Sequence, residues 1–165
     1  LKAKMFGGGM VGLQSTATKT KMGALLNGIV NYDFWEPVPA MQFPGVLDLL
    51  KKYQAKAASE GVDALGYYMA PWAYADLQVL GQAVEATKGL DQEKLAAYMH
   101  ASTFKTVLGD IKFGKSGEWE GGRVILVQFH DITGNDVAQF RTMGTQTVLA
   151  PAEYKSGTIV YPYRQ

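Results

Sequence analysis

The order of apolar and polar positions along the chain predicts amphipathic helices separated by short strands. The clearest helix covers residues 44–60, where apolar side chains recur every three or four positions from Val46 to Ala57. The lysines and the aspartate between them mark the solvated side of this helix. Gly61 follows directly and is expected to end it, since glycine adopts the left-handed conformation common after a helix.

Other segments are assigned by β-branched and aromatic runs, by caps and by glycine spacing. The first strand, 3–6, should stop at the three glycines that follow it. The unbroken apolar run at 124–127 predicts a sheet covered on both faces. Helices are predicted at 18–28, 71–88 and 92–102 (the last capped by Asp91), strands at 3–6, 29–35, 123–131, 138–144, 145–153 and 158–163, and a hairpin at 109–122.

The helix predicted at 71–88 is unusual because it has almost no polar side until Glu85. Such a helix requires burial nearly all round, and the remaining sequence offers little to cover it. Its start concentrates Pro71, Trp72, Tyr74 and Asp76 just after two tyrosines. Core packing is one interpretation of these aromatics. The other is an interface between two bodies, where rings form a wall and hydroxyl groups orient a small ligand.

Composition excludes several classes of protein. The 165 residues are 47% hydrophobic and 19% charged, as in a globular protein, and the net charge of +1 selects neither nucleic acid nor an anionic membrane. There is no cysteine, so disulfides and thiolate sites are excluded. A sequence that starts at Leu1, without a signal peptide, suggests a processed or partial chain, and a mature secreted protein remains possible.

The glycine-rich segment "GGGMVG" allows an enzymatic interpretation. Gly7, Gly9 and Gly12 satisfy the G-x-G-x-x-G pattern after a strand, and Asp33 lies about twenty residues further on. In a dinucleotide site the loop and a helix N-terminus hold the pyrophosphate, and the acid binds a ribose hydroxyl. This alternative requires a helix that begins at about Gly9, with Asp33 near it. The simpler interpretation is a strand-end loop that a ligand approaches closely.

Neither a metal centre nor a nucleophilic triad is predicted. The two histidines, His100 and His130, have no partner at ligand spacing, so each is interpreted as a surface or packing residue. Glu118 and Glu120 flank a tryptophan in a turn, where a solvated hairpin tip is the expected environment. We therefore predict no cofactor, no metal and no catalytic residue.

Four segments, taken in order, carry a resemblance to a known family. They are "MFGGGMVGL" (5–13), "KMGALLNGIVNYDFW" (21–35), "APWAYADLQVLGQAVEATKGLDQEKLAAYM" (70–99) and "GDIKFGKSGEWEGGRVILVQFHD" (109–131). Together they resemble the C-terminal half of the solute-binding proteins of ABC importers, of the branched-chain amino-acid (Leu/Ile/Val) type. The resemblance covers nearly the whole chain as an ordered set of weak motifs.

This resemblance implies an α/β protein of periplasmic binding fold type I, with two three-layer αβα lobes. Residues 1–35 and 124–165 would belong to the C-lobe, and 36–123 to the N-lobe. Such a protein is no enzyme: its lobes close over a small-molecule solute. The implied partners are a membrane permease and the N-terminal half of the same protein, in the periplasm or anchored at the cell surface. An amino-acid sensing domain of a receptor would share the fold.

The resemblance also implies ligand-binding residues. Tyr74 matches the family's cleft tyrosine at the head of its helix, and Trp72, Gly9 and Met10 would complete the wall, with Tyr74 facing the glycine loop across a gap. Gly9 and Met10 stand where amino-acid binders often place an acid for the ligand's ammonium group. The expected solute is an amino acid or a related small apolar or aromatic carboxylate. Because a buried ammonium without a partner is costly, the missing acid favours a carboxylate without an amine.

Overall fold

The computed structural model describes residues 3–163 and shows a mixed α/β protein, as the sequence predicts. Four strands form one sheet and two form a separate hairpin, with four α-helices and several short 3₁₀ helices between them. The strands are β1 (Phe6–Gly8), β2 (Ile29–Asp33), β3 (Thr103–Thr106), β4 (Gly109–Lys112), β5 (Ile125–Phe129) and β6 (Gln146–Ala150), and the α-helices are α1 (Thr16–Met22), α2 (Val46–Glu60), α3 (Ala70–Thr87) and α4 (Gln92–Ala101).

The four-stranded sheet is assembled from the two ends of the described chain, in the order β1-β2-β5-β6. β1 runs parallel to β2, while β5 pairs antiparallel with both β2 and β6. The segment from α2 to the β3–β4 hairpin therefore leaves the sheet after β2 and returns to it at β5. The proposed division at 35 and 123 into lobe segments stays a prediction, as does the two-lobe arrangement.

The helices follow the sequence pattern closely. α2 ends at Gly61, whose left-handed backbone (φ 65°) is easily adopted without a side chain. α3 covers the predicted 71–88 almost completely. The Asp91 carboxylate accepts a hydrogen bond from the Lys94 amide at 3.0 Å and so caps α4 as expected. The strand predicted at 29–35 is also confirmed, as β2.

Several predicted strand boundaries are wrong. β1 runs through the glycines instead of stopping at them, because Gly7 pairs with Val30 so closely that an added Cβ would lie 3.0 Å from the Val30 carbonyl oxygen. The predicted strand 138–144 is a 3₁₀ helix, Val137–Phe140, capped by the Asp136 carboxylate. The predicted helix 18–28 is α1 followed by a second 3₁₀ helix, Gly23–Leu26.

Two further segments differ from the prediction. The predicted strand at 158–163 is irregular, since the Gln128 side chain accepts from the Val160 amide and donates to the Val160 carbonyl. The first strand of the small sheet, β3, was not predicted at all. It pairs with β4 to form the observed hairpin. The hairpin predicted at 109–122 therefore contains only the second strand of that pair, β4, and the following turn, which the Phe113–Trp119 bridge closes.

The sheet is covered fully on one face only, contrary to the prediction from the apolar run. Ile125, Val127 and Phe129 point from β5 into the core and are buried. Leu126 points to the opposite face and is 45% exposed. The irregular C-terminal segment covers that face at Gln128 and leaves Leu126 partly open to solvent.

The apolar helix α3 is likewise covered on one side only. Pro71, Ala75 and Val79 pack into the core, whereas Leu77 is 67% exposed and Leu80 is also exposed. The helix is therefore not buried all round. As the sequence indicated, the described chain has too little further structure to cover it. Among the helices within residues 3–163, none combines the length and hydrophobicity needed to cross a membrane.

A single aspartate ties α1 to the loop before α3. The Asp63 carboxylate accepts hydrogen bonds from the Thr16 amide (2.8 Å) and hydroxyl (2.6 Å), the Leu65 amide (3.0 Å) and the Gly66 amide (2.9 Å). Partial burial would raise the pKa of Asp63, but these bonds, that of the Thr16 hydroxyl foremost, hold it below its usual range. The charged carboxylate is therefore the form that the fold stabilises.

We expect Asp63→Asn to lower the free energy of unfolding by about 1.5 kcal/mol at pH 7, because an amide oxygen is a weaker acceptor for four donors. Since the pKa is lowered on folding, the wild-type contribution is present above the unfolded pKa and is lost as the pH falls through the folded pKa. Urea unfolding at pH 7 and pH 3 measures both effects. The exposed Asp76 provides the matched control, Asp76→Asn, and an equal loss in both variants would contradict this account.

Candidate functional site

The end of β2 sends consecutive side chains to opposite sides of the chain. Tyr32 and Phe34 point one way, with ring centroids 5.7 Å apart, and the Phe34 ring lies 5.9 Å from that of Tyr68. Trp35 points the other way and packs on the ring of Tyr67 at 4.8 Å. This alternation is the ordinary geometry of extended backbone. It creates two separate environments around the segment that leaves the sheet.

The first environment is a continuous group of five rings, which we call the aromatic wall: Tyr32, Phe34, Tyr68, Trp72 and Trp119. The Trp72 ring lies at the centre, 5.5 Å from Phe34 and 5.6 Å from Trp119, both in edge-to-face contact. Edge-to-face packing of this kind fixes ring orientation and adds stability beyond the area buried. The wall brings together β2, the start of α3 and the β4–β5 connection.

The glycine loop adjoins this wall at Tyr32. The Asn31 side chain accepts from the Met10 amide at 2.9 Å and donates to the Met10 carbonyl at 3.0 Å, which fixes the loop onto β2. A Cβ on Gly9 would lie 3.5 Å from the Tyr32 ring, so the backbone passes close to its edge. Met10 is exposed beside it. Gly9, Met10 and Trp72 are thus connected through Tyr32 and Phe34.

One buried polar atom in the wall has no hydrogen-bond partner among the described residues. The indole Nε1 of Trp72 is buried, and within residues 3–163 it makes no hydrogen bond. A buried donor without an acceptor costs about 1–3 kcal/mol, so such atoms in native proteins call for an explanation. Because the nitrogen itself is buried, an acceptor atom of a ligand would remove this cost only if the neighbouring rings shift to admit it. The wall can therefore supply apolar contact together with the Trp72 indole as a hydrogen-bond donor.

Tyr74 is not brought together with this group. Residues two apart on an α-helix lie about 200° apart around its axis, so Tyr74 and Trp72 occupy opposite flanks of α3. The Tyr74 side chain is 45% exposed, and none of the ring contacts formed by the described residues involves it. A role for Tyr74 in ligand binding stays a prediction.

Sequence reasoning missed three members of the wall. Tyr32 and Phe34 stand two residues apart at the end of a predicted strand, and that spacing alone could have placed them on one side. Trp119 gave no such signal, because its position depends on how the turn after β4 folds back toward α3. Asn31, which holds the glycine loop, could not be distinguished from any other strand residue.

The structure contradicts the dinucleotide alternative. After Gly9 the chain forms a 3₁₀ helix, Val11–Gln14, and the α-helix begins only at Thr16. Among residues 3–163, no α-helix therefore begins at the loop. Asp33 is 1% exposed and its carboxylate lies 3.5 Å from the ammonium nitrogen of Lys19. An acid buried in an ion pair cannot bind a ribose hydroxyl.

The second environment, on the Trp35 side, holds a buried group of charges. Lys19, Asp33 and Glu36 are all buried, and the Gln146 side-chain amide donates to the Glu36 carboxylate. Burial raises the pKa of both carboxyls, most strongly that of Glu36, while the nearby ammonium of Lys19 lowers them. We call these four residues the buried charge cluster.

The histidines and paired glutamates show the roles expected of them. His100 Nδ1 lies 3.2 Å from the Gly114 carbonyl oxygen, and His130 bridges the side chains of Asp131 and Thr147. Glu120 pairs with Lys112 on the exposed hairpin at 3.4 Å. Within residues 3–163, no three His, Asp or Glu side chains come close enough together to hold a metal ion.

Comparison with known proteins finds similarity among solved structures. No protein-family profile and no curated protein sequence gives a significant match to the chain. One structural match is the crystal structure of an ABC transporter substrate-binding protein from Desulfitobacterium hafniense in complex with Leu. It has a TM-score of 0.46 and 19% identity, and covers 75% of this chain and 32% of that protein.

A second match is an ABC transporter substrate-binding protein from the same organism. It has a TM-score of 0.46 and 20% identity, and covers 67% of this chain and 31% of that one. The chain thus spans about a third of the length of the structures that it matches. It is a mixed α/β protein that resembles, over part of their length, two substrate-binding proteins of ABC transporters.

Proposed function

We propose that the chain forms part of a solute-binding receptor of an ABC importer. In this proposal the aromatic wall and the Gly9–Met10 loop line one side of a cleft that holds a small apolar or aromatic carboxylate. The observation that carries the proposal is the buried, unpartnered indole nitrogen of Trp72 at the centre of five packed rings. Binding without chemistry fits a site whose groups are rings, backbone and one donor.

The position of the wall supports a role in closure. It joins side chains from the sheet, from α3 and from the segment returning to β5, so a solute against it would contact parts of the chain that leave and re-enter the sheet. A ligand shifts such a protein toward its closed state to the extent that closure adds contacts. A membrane permease would then recognise the closed form, in the periplasm or at the cell surface.

The exposed side of α3 supports the presence of further protein beyond these residues. Leu77 and Leu80, with the small residues beside them, form an apolar surface on an otherwise ordinary helix. Surfaces of this kind are usually covered in the complete molecule. In the proposed receptor the N-terminal half would pack here and supply the opposite side of the cleft.

The chemistry of the loop favours a solute without an amino group. Neither Gly9 nor Met10 can pair with an ammonium ion by its side chain, and the wall itself carries no carboxylate. An aromatic face does attract cations, but a carboxylate partner holds an ammonium group more strongly. We therefore expect 3-phenylpropanoate to bind better than L-phenylalanine, which differs from it only by the amino group.

The test is titration of the chain with this matched pair of compounds, followed by the indole N–H signals in ¹H–¹⁵N NMR spectra. We expect 3-phenylpropanoate to move the Trp72 indole signal, with a dissociation constant on the order of 1 mM for a single wall. The Trp72→Ala and Trp72→Phe variants lack this indole, so their binding is followed at the neighbouring Trp119 indole signal; Trp72→Ala should abolish binding, and Trp72→Phe should weaken it about tenfold through loss of the hydrogen bond. L-Phenylalanine should bind at least several-fold more weakly.

Two more variants complete this test. Leu77→Ala changes an exposed residue of the same helix and should leave binding unchanged. Tyr74→Ala decides the separate prediction that this tyrosine contacts the ligand. If neither compound moved the Trp72 signal, or if Leu77→Ala weakened binding as much as Trp72→Phe, the proposed site would be refuted.

A further inference from the structure

A cavity of about 370 Å³ lies on the Trp35 side of the segment that follows β2, between α2 and the residue after the Val137–Phe140 helix. Its floor is apolar and rigid: Trp35, Leu50 and Tyr67 are each at most 4% exposed. The Trp35 indole is fixed by a 2.9 Å hydrogen bond to the Met41 carbonyl. A cavity of this volume with a preformed apolar floor is typical of small-molecule sites.

The rim of the cavity is cationic. Lys51 from α2 and Arg141 from the 3₁₀ segment both line it, and both are exposed. Among residues 3–163, no carboxylate lies within ion-pair distance of either side chain, and none lines the cavity. Two cations that converge on one cavity without an anionic partner form a favourable site for an anion.

Two neutral groups add directional contacts between the rim and the floor. Gln54 is oriented by its 3.0 Å hydrogen bond to the Leu65 carbonyl, and the Tyr67 hydroxyl lies 3.5 Å from the Arg141 carbonyl. Burial and, after it, the charge of Glu36 raise the pKa of Tyr67 to about 12, so the phenol stays a proton donor at all ordinary pH values. The Tyr67 proton is directed at the Arg141 carbonyl, whereas the second N–H of the Gln54 amide can donate to an oxygen atom of an anion.

We propose that this cavity binds a small amphipathic carboxylate as a second site, separate from the aromatic wall. Lys51 and Arg141 would hold the carboxylate group, and the floor of Trp35 and Leu50 would contact its apolar portion. The two sites are distinct because Phe34 with Tyr68, and Trp35 with Tyr67, point to opposite sides of the same segment. The proposal does not depend on the function proposed for the aromatic wall.

Hexanoate is a suitable probe because two related compounds each retain only one of its two features, the apolar chain or the negative charge. Hexan-1-ol keeps the apolar chain without the charge, and acetate keeps the charge without the chain. We expect hexanoate to move the Trp35 indole signal and the Gln54 side-chain amide signals in ¹H–¹⁵N spectra of the chain. Hexan-1-ol and acetate should each require at least tenfold higher concentration for the same shift.

Neighbouring lysines on α2 give the matched control. Lys51→Gln and Arg141→Gln should each weaken hexanoate binding about fivefold to tenfold, as loss of one charged hydrogen bond predicts. Lys52→Gln removes the same charge one position along the helix, where the side chain does not line the cavity, and should change little. The spectra themselves show that each variant remains folded.

Three results would overturn this proposal. The first is a Trp35 indole signal that does not move at any hexanoate concentration, including concentrations at which other signals of the chain have stopped shifting. The second is an equal loss of affinity in the Lys51→Gln and Lys52→Gln variants, which would indicate general charge attraction. A shift of the Trp72 signal alone would place hexanoate at the aromatic wall, and would therefore refute the second site while supporting the first.

Discussion

Replacement of Lys19 by methionine is expected to lower the free energy of unfolding by about 3 kcal/mol at pH 8. Lys19 is completely buried, and its ammonium nitrogen lies 3.5 Å from the Asp33 carboxylate, with Glu36 also buried in the same cluster. Methionine fills a similar volume but leaves the carboxylates without a cation. Removal of one partner from a buried ion pair is costly because the remaining charge stays out of water.

The cost of this substitution should decrease as the pH falls. The folded state raises the pKa of Asp33 and Glu36, so their protonated forms are favoured by folding. The stability that comes from protonation of these two carboxyls is fully present below their unfolded pKa values, near 4. It is lost as the pH rises through their folded pKa values. Without Lys19 those folded values rise further, since its charge lowers them, and the loss extends to higher pH.

Chemical unfolding of both proteins at pH 5, 6.5 and 8 measures this dependence. The difference in unfolding free energy should be largest at pH 8 and should shrink toward pH 5. Lys21→Met, on the same helix and in the exposed part of its last turn, is the control and should cost less than about 0.5 kcal/mol at every pH. A loss for Lys19→Met that is the same at all three pH values would show that Lys19 does not affect the protonation of Asp33 and Glu36 in this range, and would contradict this account.

The buried charge cluster shows where sequence reasoning reaches its limit. Lys19 lies in "TKTKM", which has the composition of an exposed helix, and nothing in that segment separates Lys19 from Lys21. The distinction arises only when β2 brings Asp33 beneath the helix and the next residues add Glu36. The burial of Asp33 in this cluster also contradicts the dinucleotide alternative, because the carboxylate expected to bind a ribose hydroxyl pairs with Lys19 instead.

The elements that could be predicted are those whose signal is local. α2 and α4 have a helical period and a cap, and both were placed within two residues. The irregular segment 158–163 failed because its structure is decided by a distant partner, the Gln128 side chain 32 residues away. β3 failed for a different reason: it pairs with β4 across only two residues, Val107 and Leu108, and these apolar residues give no turn signal. Local pattern cannot reveal a partner thirty residues away.

The candidate site was predictable in part for the same reason. The aromatic start of α3 is visible as a cluster in the sequence, and Trp72 indeed lies at the centre of the wall. Tyr74 was assigned to the site by the family resemblance; helix geometry places it on the other flank from Trp72, and its role in ligand binding stays a prediction. Trp119 joins the wall only through the fold of the hairpin turn.

Trp35→Ala is expected to be the most damaging single change in the described chain, with a loss of about 4 kcal/mol in the free energy of unfolding. The Trp35 side chain is fully buried, packs on Tyr67 at 4.8 Å and donates to the Met41 carbonyl at 2.9 Å. Alanine would leave a large cavity, an unpaired ring and an unpaired carbonyl. Trp35→Phe should cost less, about 2 kcal/mol, because it retains the ring contact and loses the hydrogen bond and some volume.

Thermal and urea unfolding distinguish this packing role from a general sensitivity to loss of tryptophan. Trp119 is only partly buried and contacts Trp72 at the edge of the aromatic wall, so Trp119→Ala should cost less than half as much. Because Trp35 joins the sheet to the chain around Tyr67, its loss should uncouple these parts and broaden the unfolding transition. Equal destabilisation by Trp35→Ala and Trp119→Ala would show that the two sides of the segment after β2 contribute alike.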